Sequence, residues 1–253
     1  MYINTAGIVL RETAYKESSK ILTVLTSSEG KLTVSARGAL RRNSKYAAPT
    51  QLLVFSEMTL FSSRDRWTLT EARCIEQFIG LRESIQLLAL GSYFAELIEA
   101  ASDEDSQSPE LLPLCLNALY GLSEGIKPPE VVKPAFEIRL MSAAGLTPLL
   151  DKCAVCGQEI SCRALLDIEG GTVSCYGCSG RSGVEIGKDA LSAMRYIAAC
   201  EPKKLLSFSL SETALHELYR ASEEYLLSQF DRRFRTLEYY KSLSEKGGNG
   251  VVQ

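Results

Sequence analysis

The sequence predicts an α+β multidomain protein: a small five-stranded barrel, then an all-α domain carrying a four-cysteine insert. Three observations support this. Period-two alternation with turn signals fills roughly the first 75 residues. From about Phe78 the apolar period becomes helical, and two C-x-x-C pairs interrupt the helical part. The expected division is 1–78 for the barrel, 79–149 and 184–245 for the two parts of the helical domain, 150–183 for the insert, and 246–253 for a disordered tail.

The strands come first. Ala6 to Ala14 begins with Ile8-Val9-Leu10, and Lys20 to Ser27 places Ile21, Thr23 and Leu25 on one face with Leu22, Val24 and Thr26 on the other. Glu29-Gly30 is a hairpin turn, and Lys31 to Arg37 is the return strand. A basic, non-periodic stretch from Gly38 to Pro49 reads as a flexible loop. Gln51 to Phe61 is a long β-rich segment, Ser62-Ser63-Arg64-Asp65 a turn, and Arg66 to Ala72 the fifth strand. Five short antiparallel strands in this length suit an OB-fold, with an SH3-like barrel as the competing reading.

In the helical part, Leu87, Leu90, Phe94, Leu97, Ile98 and Ala101 recur at three- and four-residue steps. Asp103 to Gln107 is a polar break. Ser108-Pro109 reads as an N-cap with Pro at the first helical position, and that helix runs towards Gly125. Pro128-Pro129 opens the next helix and Gly145 stops it. Short strands at Arg163 to Asp167 and Gly171 to Ser174 fall inside the insert. Helical signals resume at Lys188 to Ala199 and from Ser211 to about Leu243, with Ser209 and Glu212 spaced as a capping box.

The insert holds Cys153-Ala-Val-Cys156 and Cys175-Tyr-Gly-Cys178, a C-x2-C-x18-C-x2-C pattern. Two intervening residues let one tight turn aim both thiolates at a single ion, which is the spacing of a tetrahedral zinc site. Gly157 follows the first pair and Ser179-Gly180 the second, where a glycine can adopt positive φ and turn N–H groups towards sulfur. A zinc-finger-like insert with Zn2+ is expected, and a rubredoxin-like iron site has similar ligands. Four thiolates close the shell, so the metal is structural. Cys74, Cys115, Cys162 and Cys200 are scattered and read as buried thiols.

Charge is uneven along the chain. The net charge of the 253 residues is −3, yet residues 1–75 carry 11 Lys/Arg against 6 Asp/Glu and the remainder 17 against 25. Residues 30–56 contain Lys31, Arg37, Arg41, Arg42 and Lys45 and no acid, which points to an anionic partner. Lys and Arg there can neutralise phosphates, and Tyr46 offers a face for a base. Trp67 alternates with Leu69 and reads as core. Arg232-Arg233-Phe234-Arg235 is a second basic cluster, read equally well as a positive helix end.

Catalytic patterns are missing. His216 is the single histidine, and there is no Gly-x-Ser-x-Gly elbow, Walker A loop, Gly-x-Gly-x-x-Gly or zinc-deaminase signature. The protein is expected not to be an enzyme. No apolar run reaches the roughly 18 residues of a membrane span, and the N-terminus lacks a signal-peptide pattern. A cytoplasmic protein with reduced cysteines is therefore expected.

Several passages together resemble the bacterial recombination mediator RecO family. They are Ala6-Gly7-Ile8-Val9-Leu10; Ala36-Arg37-Gly38 with Arg41-Arg42 and Ser44; Phe136-Glu137-Ile138-Arg139-Leu140 and Gly145-Leu146-Thr147-Pro148 leading to the first cysteine pair; and a late helix from Tyr225 to Leu237. The resemblance implies a non-enzymatic, nucleoid-associated mediator of DNA repair. It would bind single- and double-stranded DNA, anneal complementary strands and assist RecA loading. RecR and the C-terminal tail of single-strand-binding protein are the implied partners. DNA contacts carried over by the resemblance fall on Arg37, Arg41, Arg42 and Lys45, and Lys31 joins them from the acid-free stretch. A protein-interaction adaptor docking through its zinc module is the alternative. A metal hydrolase is disfavoured by the closed shell.

Overall fold

The structure is a computed structural model that describes residues 1–64, 66–103, 107, 109–178 and 183–247, with backbone only for 244–247. Five strands close a barrel: β1 (Tyr2–Tyr15), β2 (Ser19–Thr26), β3 (Gly30–Ala36), β4 (Phe55–Ser63) and β5 (Arg66–Glu76). Their order around the barrel is β1-β2-β3-β5-β4, with β4 returning to β1. Val9, Leu22, Val24, Leu32, Val34, Met58, Leu60 and Leu69 fill the interior. Alternation buries Leu22, Val24, Leu32 and Val34 on one face of β2 and β3, as a half-buried strand requires.

Three features differ from the sequence expectation. The strands are not all antiparallel, because β3 and β5 pair in parallel through Val34–Trp67 and Ser35–Thr68. β1 begins at Tyr2, and its first half pairs with β4 while a register shift between Val9 and Arg11 carries it along β2. A bulge of this kind bends one long strand so that it serves both neighbours. The fourth strand starts at Phe55 rather than Gln51: Leu53 is left-handed (φ 63°) and the Val54 N–H bonds back to the Gln51 carbonyl, closing a turn.

The helices are α1 (Ile85–Ala101), α2 (Leu111–Ser123), α3 (Pro129–Ala143), α4 (Lys188–Ala199), α5 (Glu212–Phe230) and α6 (Arg235–Gly247). Ser84 caps α1 by accepting from the Leu87 N–H, and Gly145 follows the end of α3 with φ 77°. α2 begins two residues beyond Pro109, and Ser108 lies outside the described residues. The cap of α5 is Ser211, whose hydroxyl accepts from the Ala214 N–H, not Ser209. The predicted long last helix is two helices, since Asp231 turns left-handed (φ 47°) and ends α5. The insert holds a four-stranded sheet, β6 (Leu149–Cys153), β7 (Ala164–Asp167), β8 (Thr172–Cys175) and β9 (Val184–Ile186), in the order β6-β8-β7-β9.

The chain divides into two compact units, Met1–Glu124 with Phe234–Gln253, and Gly125–Arg233. The expected single helical domain is thus distributed between them. In the first unit, Phe234 meets Tyr93 edge-on at 6.1 Å, and the Thr236 N–H donates to the Glu96 carboxylate at 3.2 Å. In the second, Lys133 on α3 is fully buried, 2.7 Å from Glu137 and 2.9 Å from Glu223 on α5. The Ser222 hydroxyl donates to the other Glu137 oxygen at 2.7 Å. Arg139 donates to the Ala198 carbonyl of α4, and Arg195 ties α4 to the carbonyls of Leu150 and Ile160. No helix among the described residues is long and apolar enough to cross a membrane. The expected disordered tail lies largely outside the described residues.

Candidate metal centre and nucleic-acid interface

The two cysteine pairs sit where strands β6 and β8 end. Cys153 closes β6, pairs with Val173 of β8, and is followed by a turn in which the Gly157 N–H bonds to the Cys153 carbonyl at 2.9 Å. Gly157 has φ 72°, a conformation that L side chains resist. The second turn is one residue tighter, closed by the Cys178 N–H on the Cys175 carbonyl at 2.9 Å. All four sulfurs lie within 4.8 Å of one another. Sγ of Cys156 and Cys175 are 3.9 Å apart, beyond any disulfide length. A tetrahedron of sulfurs about 2.3 Å from a central zinc has edges of about 3.8 Å, so the spacing fits a four-thiolate ion.

The thiols are mutually frustrated as acids. N–H groups of Cys156 and Cys175 point at the Cys153 sulfur and pull its pKa down to about 6. Cys175, bonded side chain to side chain with Cys153, is pushed up to about 12, and Cys178 is raised chiefly by Cys156. A cation relieves this by stabilising all four thiolates at once. Cys162 is exposed and outside the group, so the expectation that the remaining cysteines are buried fails there; burial is complete only at Cys115, whose pKa rises to about 12 through desolvation.

The acid-free segment is not a flexible loop. Successive turns stitch it together through Arg41 N–H to Gly38, Ser44 N–H to Arg41, Ala47 N–H to Ser44 and Thr50 N–H to Tyr46. The Leu40 N–H anchors it to the Ser18 carbonyl at 2.9 Å in the β1–β2 hairpin. Arg37, Arg41, Arg42 and Lys45 are all exposed, and none pairs with a carboxylate among the described residues. Tyr46 is not a free stacking face: its hydroxyl donates to the Thr70 carbonyl, its ring packs on the barrel core, and the Lys45 ammonium stands 5.1 Å from the ring centre. Lys31 is set apart from the other four, because its ammonium donates to the carbonyls of Glu99 (2.9 Å) and Ser102 at the end of α1. Arg232 and Arg233 fall between α5 and α6 rather than on a helix end, while Arg235 opens α6.

Sequence reading missed a cavity of about 870 Å³ on the barrel wall. It lies between the β1–β2 and β4–β5 hairpins, and its walls include Tyr15, Lys16, Arg37, Phe61, Arg66 and Trp67. Trp67 is half-buried, packed partly on the core and partly lining this cavity, so the core reading was half right. A signal was available: each hairpin carries an aromatic–cation dipeptide, Tyr15-Lys16 and Arg66-Trp67. His216 is exposed on α5.

Fold and site together define a class: a closed five-stranded barrel with a basic ordered loop, joined to a helical part with a four-thiolate knuckle. The family model described as recombination protein O N terminal matches residues 1–78, and that described as recombination protein O C terminal matches residues 82–238. The chain is 30% identical over 244 residues to the DNA repair protein RecO of Acetivibrio thermocellus, covering 96% of this chain and 97% of that one. It is 31% identical over 239 residues to that of Caldicellulosiruptor bescii (94% and 98%), and 31% identical over 246 residues to that of Symbiobacterium thermophilum (95% and 97%). The chain belongs to the RecO family of DNA repair proteins.

Proposed function

We propose that this protein is a non-enzymatic mediator of recombinational repair in the cytoplasm, associated with the nucleoid. It binds single- and double-stranded DNA through Arg37, Arg41, Arg42 and Lys45 and anneals complementary strands. With RecR it assists RecA loading onto DNA coated by single-strand-binding protein, whose C-terminal tail is a partner. Zn2+ at Cys153, Cys156, Cys175 and Cys178 holds the insert together and leaves no position for substrate.

The observation that carries this reading is the set of four exposed loop cations without carboxylate partners among the described residues. Each cation that meets a phosphate releases condensed counterions, so affinity falls with salt by about 0.9 log units per log unit and contact on duplex. Replacing Arg41 and Arg42 by Ala is expected to flatten that slope by about 1.8 on duplex and to weaken binding alike for all sequences. Fluorescence anisotropy across a salt series measures both. An unaltered slope would remove the loop from the interface.

A second reading, an adaptor that docks through the knuckle, is favoured by the exposure of Val155 and Tyr176 at its two tips. Val155→Ser with Tyr176→Ser separates the two readings. Loss of RecR binding with annealing intact favours the adaptor; loss of neither leaves the DNA reading alone.

A further inference from the structure

Resting on the metal reading above, we infer that the outward half of the four-cysteine group is a site of oxidation by peroxide, where Cys156 and Cys175 close a reversible disulfide and the metal is released. The four ligands are unevenly covered. Cys153 is 2% exposed, Cys175 and Cys178 are half-buried, and Cys156 is exposed. An oxidant arriving from solvent therefore meets Cys156 first, and thiolates that are accessible are the ones that react. The Cys156 and Cys175 sulfurs are 3.9 Å apart and belong to different turns. Cys153 is the poorer partner for Cys156: it is buried, it closes a strand, and its sulfur already accepts the Cys175 N–H at 3.3 Å.

The two turns have room to bring these sulfurs to the roughly 2.05 Å of a disulfide. A side chain added at Gly157 or at Gly177 would meet nothing within 4 Å, so neither turn is packed from outside. Val155 and Tyr176, on the same two turns, are 66% and 45% exposed. The opposite end of the insert is held firmly. Tyr225 and Gln229 of α5 donate to the carbonyls of Leu146 and Ile168, both at 2.8 Å, and Arg195 of α4 holds those of Leu150 and Ile160. Closing the disulfide thus alters the two turns and leaves the sheet docked on the helices.

The electrons balance with hydrogen peroxide as the oxidant. The Cys156 thiolate attacks one peroxide oxygen; the O–O bond breaks, hydroxide leaves, and the sulfur becomes a sulfenic acid. The Cys175 thiolate then attacks that sulfur; the S–S bond forms, the S–O bond breaks, and a second hydroxide leaves. The two thiolates together lose two electrons and the peroxide gains them. Cys153 and Cys178 then remain as the only donors of the group, too few for the four-coordinate shell of a structural zinc. A dithiol reductant reverses the step by thiol–disulfide exchange and restores all four ligands. Cys162 is also exposed but lies outside the group, so its oxidation leaves the shell intact.

In the test, the intact chain is loaded with zinc under reducing conditions, freed of reductant and treated with hydrogen peroxide beside a chromophoric chelator. Non-reducing peptide mapping by mass spectrometry then locates the bond formed. Release of about one zinc per chain is expected, and the map is expected to join Cys156 to Cys175. Cys162→Ala is expected to release zinc at the same rate, with a loss of about two thiols per chain. Dithiothreitol with added zinc is expected to restore the metal content, and far-UV ellipticity to hold throughout because the sheet stays docked. Oxidation confined to Cys162 with zinc retained would overturn the inference. So would zinc release with a bond between Cys153 and Cys156 instead, or release that dithiothreitol does not reverse. If the reduced chain takes up no zinc at all, the metal reading itself fails and this inference with it.

Discussion

Replacing Lys133 by Met is expected to destabilise the second unit strongly. The ammonium is fully buried between Glu137 at 2.7 Å and Glu223 at 2.9 Å, with the Tyr219 ring 4.1 Å away. At an effective dielectric of about 20, each contact is worth about 6 kcal/mol of gross attraction, most of it offset by desolvation. Removing the cation keeps the desolvation of the two carboxylates and discards its attraction to them. Breaking a buried pair in this way costs about 3–5 kcal/mol, a large share of a domain's stability of about 5–15 kcal/mol. With a urea m-value of about 2 kcal/mol/M, the midpoint falls by about 2 M. Far-UV ellipticity against urea measures it. Adding Glu137→Gln and Glu223→Gln to the same chain is expected to recover most of the loss, because the two side chains that faced the ammonium are then neutral. A midpoint shift below about 0.3 M for Lys133→Met, or no recovery in the triple variant, would refute the argument from buried charge.

Two further outcomes test the metal centre and the helix caps. Cys178→Ser is expected to lower bound zinc well below one ion per chain, while Cys162→Ala, exposed and outside the group, retains it; elemental analysis of the purified variants decides. Because Cys175 and Cys178 hold their protons tightly, with Cys175 at about 12, zinc entry must release protons and affinity falls as pH falls, which competition with a chromophoric chelator across pH measures; a pH-independent affinity would contradict this. Ser211→Ala is expected to cost about 1 kcal/mol and Ser209→Ala close to nothing, since only Ser211 accepts from the first turn of α5; equal thermal shifts would reinstate the rejected box.

What could be read in advance depended on how local the cause was. Cys-x-x-Cys turns are set by four residues each, so the knuckles and their ligands follow from spacing. Hairpins and the stop of α3 were legible for the same reason, through Glu29-Gly30 and Gly145. The breaks at Leu53 and Asp231 were not, because neither is a glycine, the residue that marks a left-handed turn in a sequence. β9, with three residues, carries too little alternation to register. The parallel β3–β5 pair and the wall cavity draw on segments more than thirty residues apart, which no window of the sequence displays. Lys31 looked like one more interface cation because charge is visible in a sequence and a helix end across the fold is not.

The β3–β5 pairing has a dynamic consequence. Every other neighbour in the barrel is joined by seven or more residue pairs, and this one by two. Backbone hydrogen bonds lost in a local opening are fewest along that line, so the barrel breathes there before it frays elsewhere. Ser35, Trp67 and Thr68 lie on the line and also in the cavity wall. A chain lying across it would act as a splint, tying together the two strands that the fold itself joins most lightly.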